Sequence, residues 1–253
     1  MERSIQTQAI VVKTAKVGEM HKLITLLSPD LGLINVMLYG GRKGKKTALA
    51  PLFSSGTFQL YHNPVRNEYS LEEAVTNFLP ETIMEDLQCT YAAYLLCEIV
   101  AKTSSDEPKP VFELLQRALL LLEKDPQSVQ RIIISFIWKF LQISGLAPEL
   151  EYCPVCERKL EEEEILLFAR QLASPACKNC GDSDYLVLPP GARRYLKFTQ
   201  PLDLERAVAV QLNPPAQARI LAYMLKWIKI QVNTPLKTLE NYCQIADFSL
   251  SSN

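Results

Sequence analysis

Leu33-Ile34-Asn35-Val36-Met37-Leu38-Tyr39-Gly40-Gly41-Arg42-Lys43-Gly44-Lys45-Lys46 is the stretch on which the fold turns. Its first half alternates, with Ile34, Val36 and Leu38 on one face and Asn35, Met37 and Tyr39 on the other. A period of two describes a half-buried strand. Its second half breaks at Gly40-Gly41 and then places four cations in five residues. On either side the strand signal recurs. Residues 6–13, ending in Ala9-Ile10-Val11-Val12-Lys13, residues 22–27 and residues 57–61 read as strands, and 69–75 as a weaker fifth. Pro29-Asp30 with Gly32, Ser54-Ser55-Gly56 and His62-Asn63-Pro64 supply the turns between them. Five short strands in the first 80 residues fit a small Greek-key barrel of the OB type, and an SH3-like barrel fits nearly as well.

After residue 80 the period lengthens to three or four. Helices are predicted over 82–103, 111–124 and 129–144, the last stopped by Gly145 and Pro148. Another opens at Pro214-Pro215, and a shorter one runs over 235–243. These helices are expected to pack as one bundle. The expected fold class is therefore multidomain α+β. An OB-like barrel occupies 1–80, and an all-α domain occupies 81–253 with an inserted cysteine knuckle at about 150–186.

Composition excludes several classes. The chain has 253 residues, 48% apolar and 22% charged, which is ordinary for a globular protein and excludes a disordered or collagen-like one. The nearly apolar run 132–138 is seven residues broken by Ser135, and a membrane span needs roughly 20. No basic segment followed by an apolar one opens the chain, so no signal peptide is expected and the cytoplasm is the expected compartment. The net charge is −1, but it is unevenly spread: +3 over 1–80, −8 over 81–187 and +4 over 188–253.

Four of the seven cysteines form Cys153-Pro-Val-Cys156 and Cys177-Lys-Asn-Cys180, twenty residues apart. Two residues between cysteines let both sulfurs face one ion, and two such knuckles complete a tetrahedron. The pattern predicts a structural zinc site with no open coordination position. Disulfides, which a reducing cytosol disfavours, and a redox pair are the alternatives. Gly181 suits the tight turn after the second knuckle. Cys89, Cys97 and Cys243 read as small core residues. Glu161 to Glu164 reads as a solvated turn, as do Asp182 and Asp184.

The loop after Tyr39 is not a nucleotide-binding loop. Three residues separate Gly40 from Gly44, where four are required, and Lys46 intervenes between Lys45 and Thr47. Clustered cations on a loop can instead hold nucleic-acid phosphates without reading bases. Tyr39, Phe58 and Tyr61 are candidates for base stacking. Arg193-Arg194-Tyr195-Leu196-Lys197 forms a second cluster. Catalytic constellations are missing: the two histidines, His21 and His62, have no obvious partner, and no nucleophile-elbow, zincin or dinucleotide motif occurs.

The combination resembles the RecO family of bacterial DNA repair proteins. Ala9-Ile10-Val11-Val12-Lys13 looks like its opening strand, and Gly18-Glu19 through Leu23-Ile24-Thr25-Leu26-Leu27 like its second. Gly32-Leu33 and Gly40-Gly41-Arg42-Lys43 look like its third strand and basic loop. Leu146-Ala147-Pro148 before the first knuckle and Phe168 before the second also fit. The chain departs from the family at Met20-His21-Lys22, where relatives commonly carry an acidic and a basic residue. The resemblance implies a recombination mediator, not an enzyme. Such a protein binds single- and double-stranded DNA, anneals complementary strands, and helps load RecA onto strands coated by the single-stranded-DNA-binding protein. The implied partners are RecR, in some lineages RecF, and the acidic tail of the coating protein. Motif match places Arg42 and Lys43 on DNA. Charge adds Lys45 and Lys46, and Lys13, Arg193 and Arg194 complete the candidate set. A zinc-containing docking adaptor without DNA contact, and an RNA-modifying or translation-linked enzyme with a zinc ribbon, are the alternatives.

Overall fold

The computed structural model describes residues 4–42, 48–103 and 107–246. The chain divides into two compact units, Met1–Pro126 and Gln127–Asn253.

In the first unit, β1 (Ser4–Val17), β2 (His21–Ser28), β3 (Gly32–Leu38), β4 (Ser55–Asn63) and β5 (Glu68–Phe78) form a closed barrel in the order β1-β2-β3-β5-β4. All neighbours are antiparallel except β3 and β5, which meet in parallel at Val36 and Tyr69. This is the five-stranded OB-like arrangement. The alternation legible in the sequence becomes the barrel interior. Ala9, Val11, Ile24, Leu26, Val36, Leu38, Phe58 and Leu60 are buried together. Closure brings β4 and β5 so near that a Cβ on Gly56 would lie 2.1 Å from the Val75 carbonyl oxygen, so only glycine fits there. The β2–β3 turn is tied from within: Ser28 Oγ accepts from the backbone N–H of Asp30 and of Leu31, and shares a 2.7 Å hydrogen bond with Thr7 Oγ1.

Three helices complete this unit. The helix expected over 82–103 is two, α1 (Glu81–Glu85) and α2 (Leu87–Lys102). The break falls at Asp86, whose extended backbone ends α1 and whose carboxylate accepts the Cys89 N–H at 2.8 Å to start α2. In α3 (Pro108–Lys124), the Glu123 carboxylate accepts the N–H groups of Thr82 and Ile83 that open α1. Helix α2 lies against β1, and α3 against β2 and β3. The helices of the first unit spend their apolar faces on the barrel and one another.

The second unit is built on α4 (Val129–Ile143), which packs against α6 (Leu204–Ala209) and α7 (Pro214–Val232). Trp138 and Trp227 meet at 6.0 Å between α4 and α7. Trp138 Nε1 donates to the Leu196 carbonyl in α5 (Pro190–Thr199), and Trp227 Nε1 to the Ala173 carbonyl. Asn213 caps α7 through the Ala216 N–H. The last element is α8 (Lys237–Ile245). Between α4 and α5 runs the insertion, which holds a three-stranded sheet, β7-β6-β8, of β6 (Leu166–Ala169), β7 (Ser174–Ala176) and β8 (Asp182–Leu188). Asp182 and Asp184 thus lie on a strand rather than in a turn, and Asp182 pairs with Arg170 at 2.9 Å. Among the described residues, no helix is long and apolar enough to cross a membrane.

Candidate nucleic-acid interface and metal centre

Strand β1 changes character at Val12. The β1–β2 register shifts between Val11 and Lys13, and beyond it Lys13, Thr14, Ala15 and Lys16 are all exposed. A bulge of this kind bends a strand and re-aims its side chains. Here it releases the β1–β2 hairpin from the core. Lys13 stands opposite Thr25, whose Oγ1 donates to Asn35 Oδ1 at 2.9 Å, so the three residues make one polar row across the outer face of β1, β2 and β3. The face of strands 2 and 3 is the one that OB folds offer to oligonucleotides. Lys16 is registered opposite Lys22, which concentrates positive charge near the hairpin end. Sequence reasoning missed Lys16, because only the pairing register places it beside another cation.

The exit of β3 is tied to that hairpin end. Arg42 donates from its backbone N–H to the Met20 carbonyl and from Nη1 to the Gly18 carbonyl at 3.0 Å. The Gly40 N–H donates to His21 Nδ1 at 3.1 Å, and the His21 ring meets Tyr39 edge-on. Arg42 is exposed. Lys43, Lys45 and Lys46 lie outside the described residues. Of the three aromatic candidates, Tyr39 is exposed and Tyr61 half-buried, but Phe58 is a core residue and cannot stack on a base. His62 also has a partner, Asn67 Oδ1 at 3.0 Å, and its ring stacks on Tyr69.

One residue of the second basic cluster, Arg193, is corrected by the structure. Arg193 is 3% exposed, and its guanidinium donates to the carbonyls of Leu150, Leu160 and Glu161. It is an internal anchor and is not available to DNA. Its neighbours Arg194 and Lys197 make ion pairs at the surface instead. Arg194 pairs with Glu163, and Lys197 pairs with Glu151 at 2.9 Å. Arg193, Arg194 and Lys197 thus tie α5 to residues 150–163 of the insertion. Glu161 to Glu164 is likewise not merely a solvated turn: the Glu164 carboxylate pairs with Arg158 and accepts the Glu161 N–H.

The four cysteines converge as their spacing predicts. The Sγ atoms of Cys153, Cys156, Cys177 and Cys180 all lie within 4.8 Å of one another, and Cys156 and Cys177 are 3.8 Å apart. A tetrahedral ion with metal–sulfur bonds of about 2.3 Å needs sulfurs about 3.8 Å apart, so the donor set fits. Each knuckle is a tight turn: the Glu157 N–H donates to the Cys153 carbonyl, and the N–H groups of Cys180 and Gly181 to the Cys177 carbonyl. The left-handed residue is Glu157, at φ 58°. Gly181 is required for another reason than the expected turn geometry. A Cβ there would come within 2.5 Å of Leu167 Cβ and 2.7 Å of its carbonyl carbon.

The electrostatics suit a cation. Burial pushes the Cys153 thiol up, but the N–H groups of Cys177, Cys156 and Val155 outweigh it and hold the thiol down at about 6. Burial also raises Cys177, yet the Asn179 N–H and the Cys180 and Arg158 side chains bring it below the usual thiol range. Cys180 is pushed up to about 12, chiefly by its hydrogen bond to Cys177. The site thus favours negative charge at two sulfurs and retains a proton at a third. A bound cation lets every ligand become a thiolate.

A closed OB-like barrel followed by a helical domain with a four-cysteine cluster makes this a multidomain α+β protein with a candidate metal centre. The profile described as Recombination protein O N terminal matches residues 1–77, and the one described as Recombination protein O C terminal matches 84–240. The chain belongs to the RecO family. A protein named DNA repair protein RecO from Bacillus pumilus is 32% identical over 224 residues, covering 85% of this chain and 84% of the relative. Those of Bacillus subtilis, at 29% over 84% of each chain, and of Clostridium kluyveri, at 26% over 82% of this chain and 81% of the relative, bear the same name. The family places the protein in DNA repair and recombination.

Proposed function

We propose that this protein is a DNA-binding recombination mediator. It holds single- and double-stranded DNA on the barrel, anneals complementary strands, and helps load RecA onto strands coated by the single-stranded-DNA-binding protein. Its partners are RecR, in some lineages RecF, and the acidic tail of the coating protein, and its place is the cytoplasm with the nucleoid. The role needs no covalent step by the protein itself. The observation that carries the reading is the row and rim of cations on the barrel, with Lys13, Lys16 and Arg42 exposed on the β1-β2-β3 side. Neutralised phosphates release counterions, which gives affinity without sequence preference and makes it fall as salt rises. Screening the repulsion between two strands favours their annealing. Lys43, Lys45 and Lys46, which follow Arg42 in the sequence, are proposed as further phosphate contacts, while the buried Arg193 has no part in them. The exposed Arg194 is proposed to keep its ion pair with Glu163 rather than bind DNA.

The metal is zinc, held by Cys153, Cys156, Cys177 and Cys180. When bound, it supplies four metal–thiolate bonds that fix the insertion. The deciding experiment mixes the pure protein with complementary strands precoated by their binding protein. Annealing faster than the spontaneous rate is expected. An unchanged rate, together with no binding to bare oligonucleotides at low salt, would leave the docking adaptor instead. Metal analysis should find one zinc per chain.

A further inference from the structure

Phosphate binding by the barrel rim leaves one of its side chains unused. Tyr39 emerges from β3 with 53% of its surface in solvent, and no other described Tyr or Phe of the barrel is exposed. Its surroundings are cross-linked by contacts. The His21 ring meets it at 5.3 Å with an interplanar angle of 79°, so the two rings do not cover one another face to face. His21 is itself fixed, because Nδ1 accepts the Gly40 N–H. The flanking backbone is tied by the Arg42 N–H to Met20 and the Gly41 N–H to Leu38, and Arg42 Nη1 reaches across to Gly18. A large exposed ring, braced along one edge and set at the edge of a cationic face, is placed to stack on a base.

Duplex bases are already stacked on one another, whereas the bases of a single strand present free π-faces that stack on aromatic side chains. We propose that Tyr39 is a nucleobase-stacking residue and that the barrel rim takes an unpaired base there, with Arg42 on the adjoining phosphate. This assignment rests on the DNA-binding reading above and adds which form of the strand the rim selects.

The test uses the full chain, unaltered and as Tyr39→Leu, Tyr39→Phe and Arg42→Ala. Each is titrated with labelled oligothymidylate and with an abasic strand of equal length and charge, over a series of salt concentrations. Stacking predicts that Tyr39→Leu binds oligothymidylate roughly 5- to 100-fold more weakly, with the salt slope and abasic affinity unchanged, and that Tyr39→Phe binds like the unaltered protein. Arg42→Ala is expected to weaken both strands and flatten both slopes. Equal weakening of Tyr39→Leu on both strands, or none on oligothymidylate, overturns the stacking and leaves the DNA-binding reading intact. Binding of neither strand by the unaltered protein overturns both. Tyr39→Trp supplies a readout independent of affinity. Its emission should be quenched at saturation by oligothymidylate and not by the abasic strand, and equal emission in both complexes overturns the assignment.

Discussion

Inside the barrel, Ala9, Val11, Ile24, Leu26, Val36 and Leu60 are sealed completely, and they come from four of its five strands. Between Cys153 and Cys180 the chain is of β type too, yet its strands are short and most of its side chains face water. Two of its most deeply buried groups are the ligands Cys153 and Cys177. The barrel is held by apolar area, which grows with every strand added to the closed sheet. The insertion has too little such area, and four sulfurs with a few buried polar anchors take its place. Each region therefore fails in its own way, and that is how the contrast can be tested.

Removing the metal should have the largest effect. Metal binding and folding are one equilibrium in small thiolate sites, with apparent binding energies of about 10–16 kcal/mol in zinc-finger peptides. A strong chelator, or Cys177→Ser, is expected to expose residues 157–176 to limited proteolysis while cleavage within the barrel stays slow. Equal protection with and without metal would mean that the insertion has a sufficient core of its own. The corresponding attack on the barrel is Phe58→Ala. Phe58 is 1% exposed, and deleting a buried aromatic ring costs about 3–5 kcal/mol. Urea unfolding followed in the first unit should show that loss, and metal content should not change.

Arg193→Ala comes next. It strands the carbonyls of Leu150, Leu160 and Glu161 in a buried place, at a cost of roughly 2–3 kcal/mol. Thermal melting should fall, and DNA affinity should stay as it was. Lowered affinity with an unchanged melting temperature would return this arginine to the interface. Arg42→Ala should do the reverse. Stability changes little, while the slope of log affinity against log salt flattens by about 0.9 for each duplex phosphate that the side chain no longer neutralises. The smallest effect is that of acid on Glu151. The Lys197 ammonium beside it holds its carboxyl below the usual range. Its stabilisation is present at neutral pH and disappears as pH falls through that lowered value, below about 4.3. The Glu151 resonance in an NMR titration should move below the free carboxylate's midpoint, and Lys197→Ala should bring it back.

The strands of the barrel were legible because alternation is a local property, and each of the five lies within a few residues of where its apolar pattern puts it. The longer helices, α3, α4 and α7, were legible for the same reason, whereas the short α6 and its cap at Asp203 were not anticipated. Strand β8 was not. Its first residues, Asp182-Ser183-Asp184, have turn chemistry, and only pairing with β6 makes them extended. The break at Asp86 was hidden as well, because the apolar period runs on through it.

Spacing alone foretold that four sulfurs would meet, since two-residue gaps leave a knuckle little choice of conformation. Which cations stay in water was settled by the folded chain. Arg42 and Arg193 both sit in basic clusters and are indistinguishable by charge. Arg42 ends at an exposed turn, whereas carbonyls from more than thirty residues away surround Arg193. Periodicity and turn chemistry act between neighbours along the chain. The desolvation of a charge depends on whatever the fold brings around it from elsewhere.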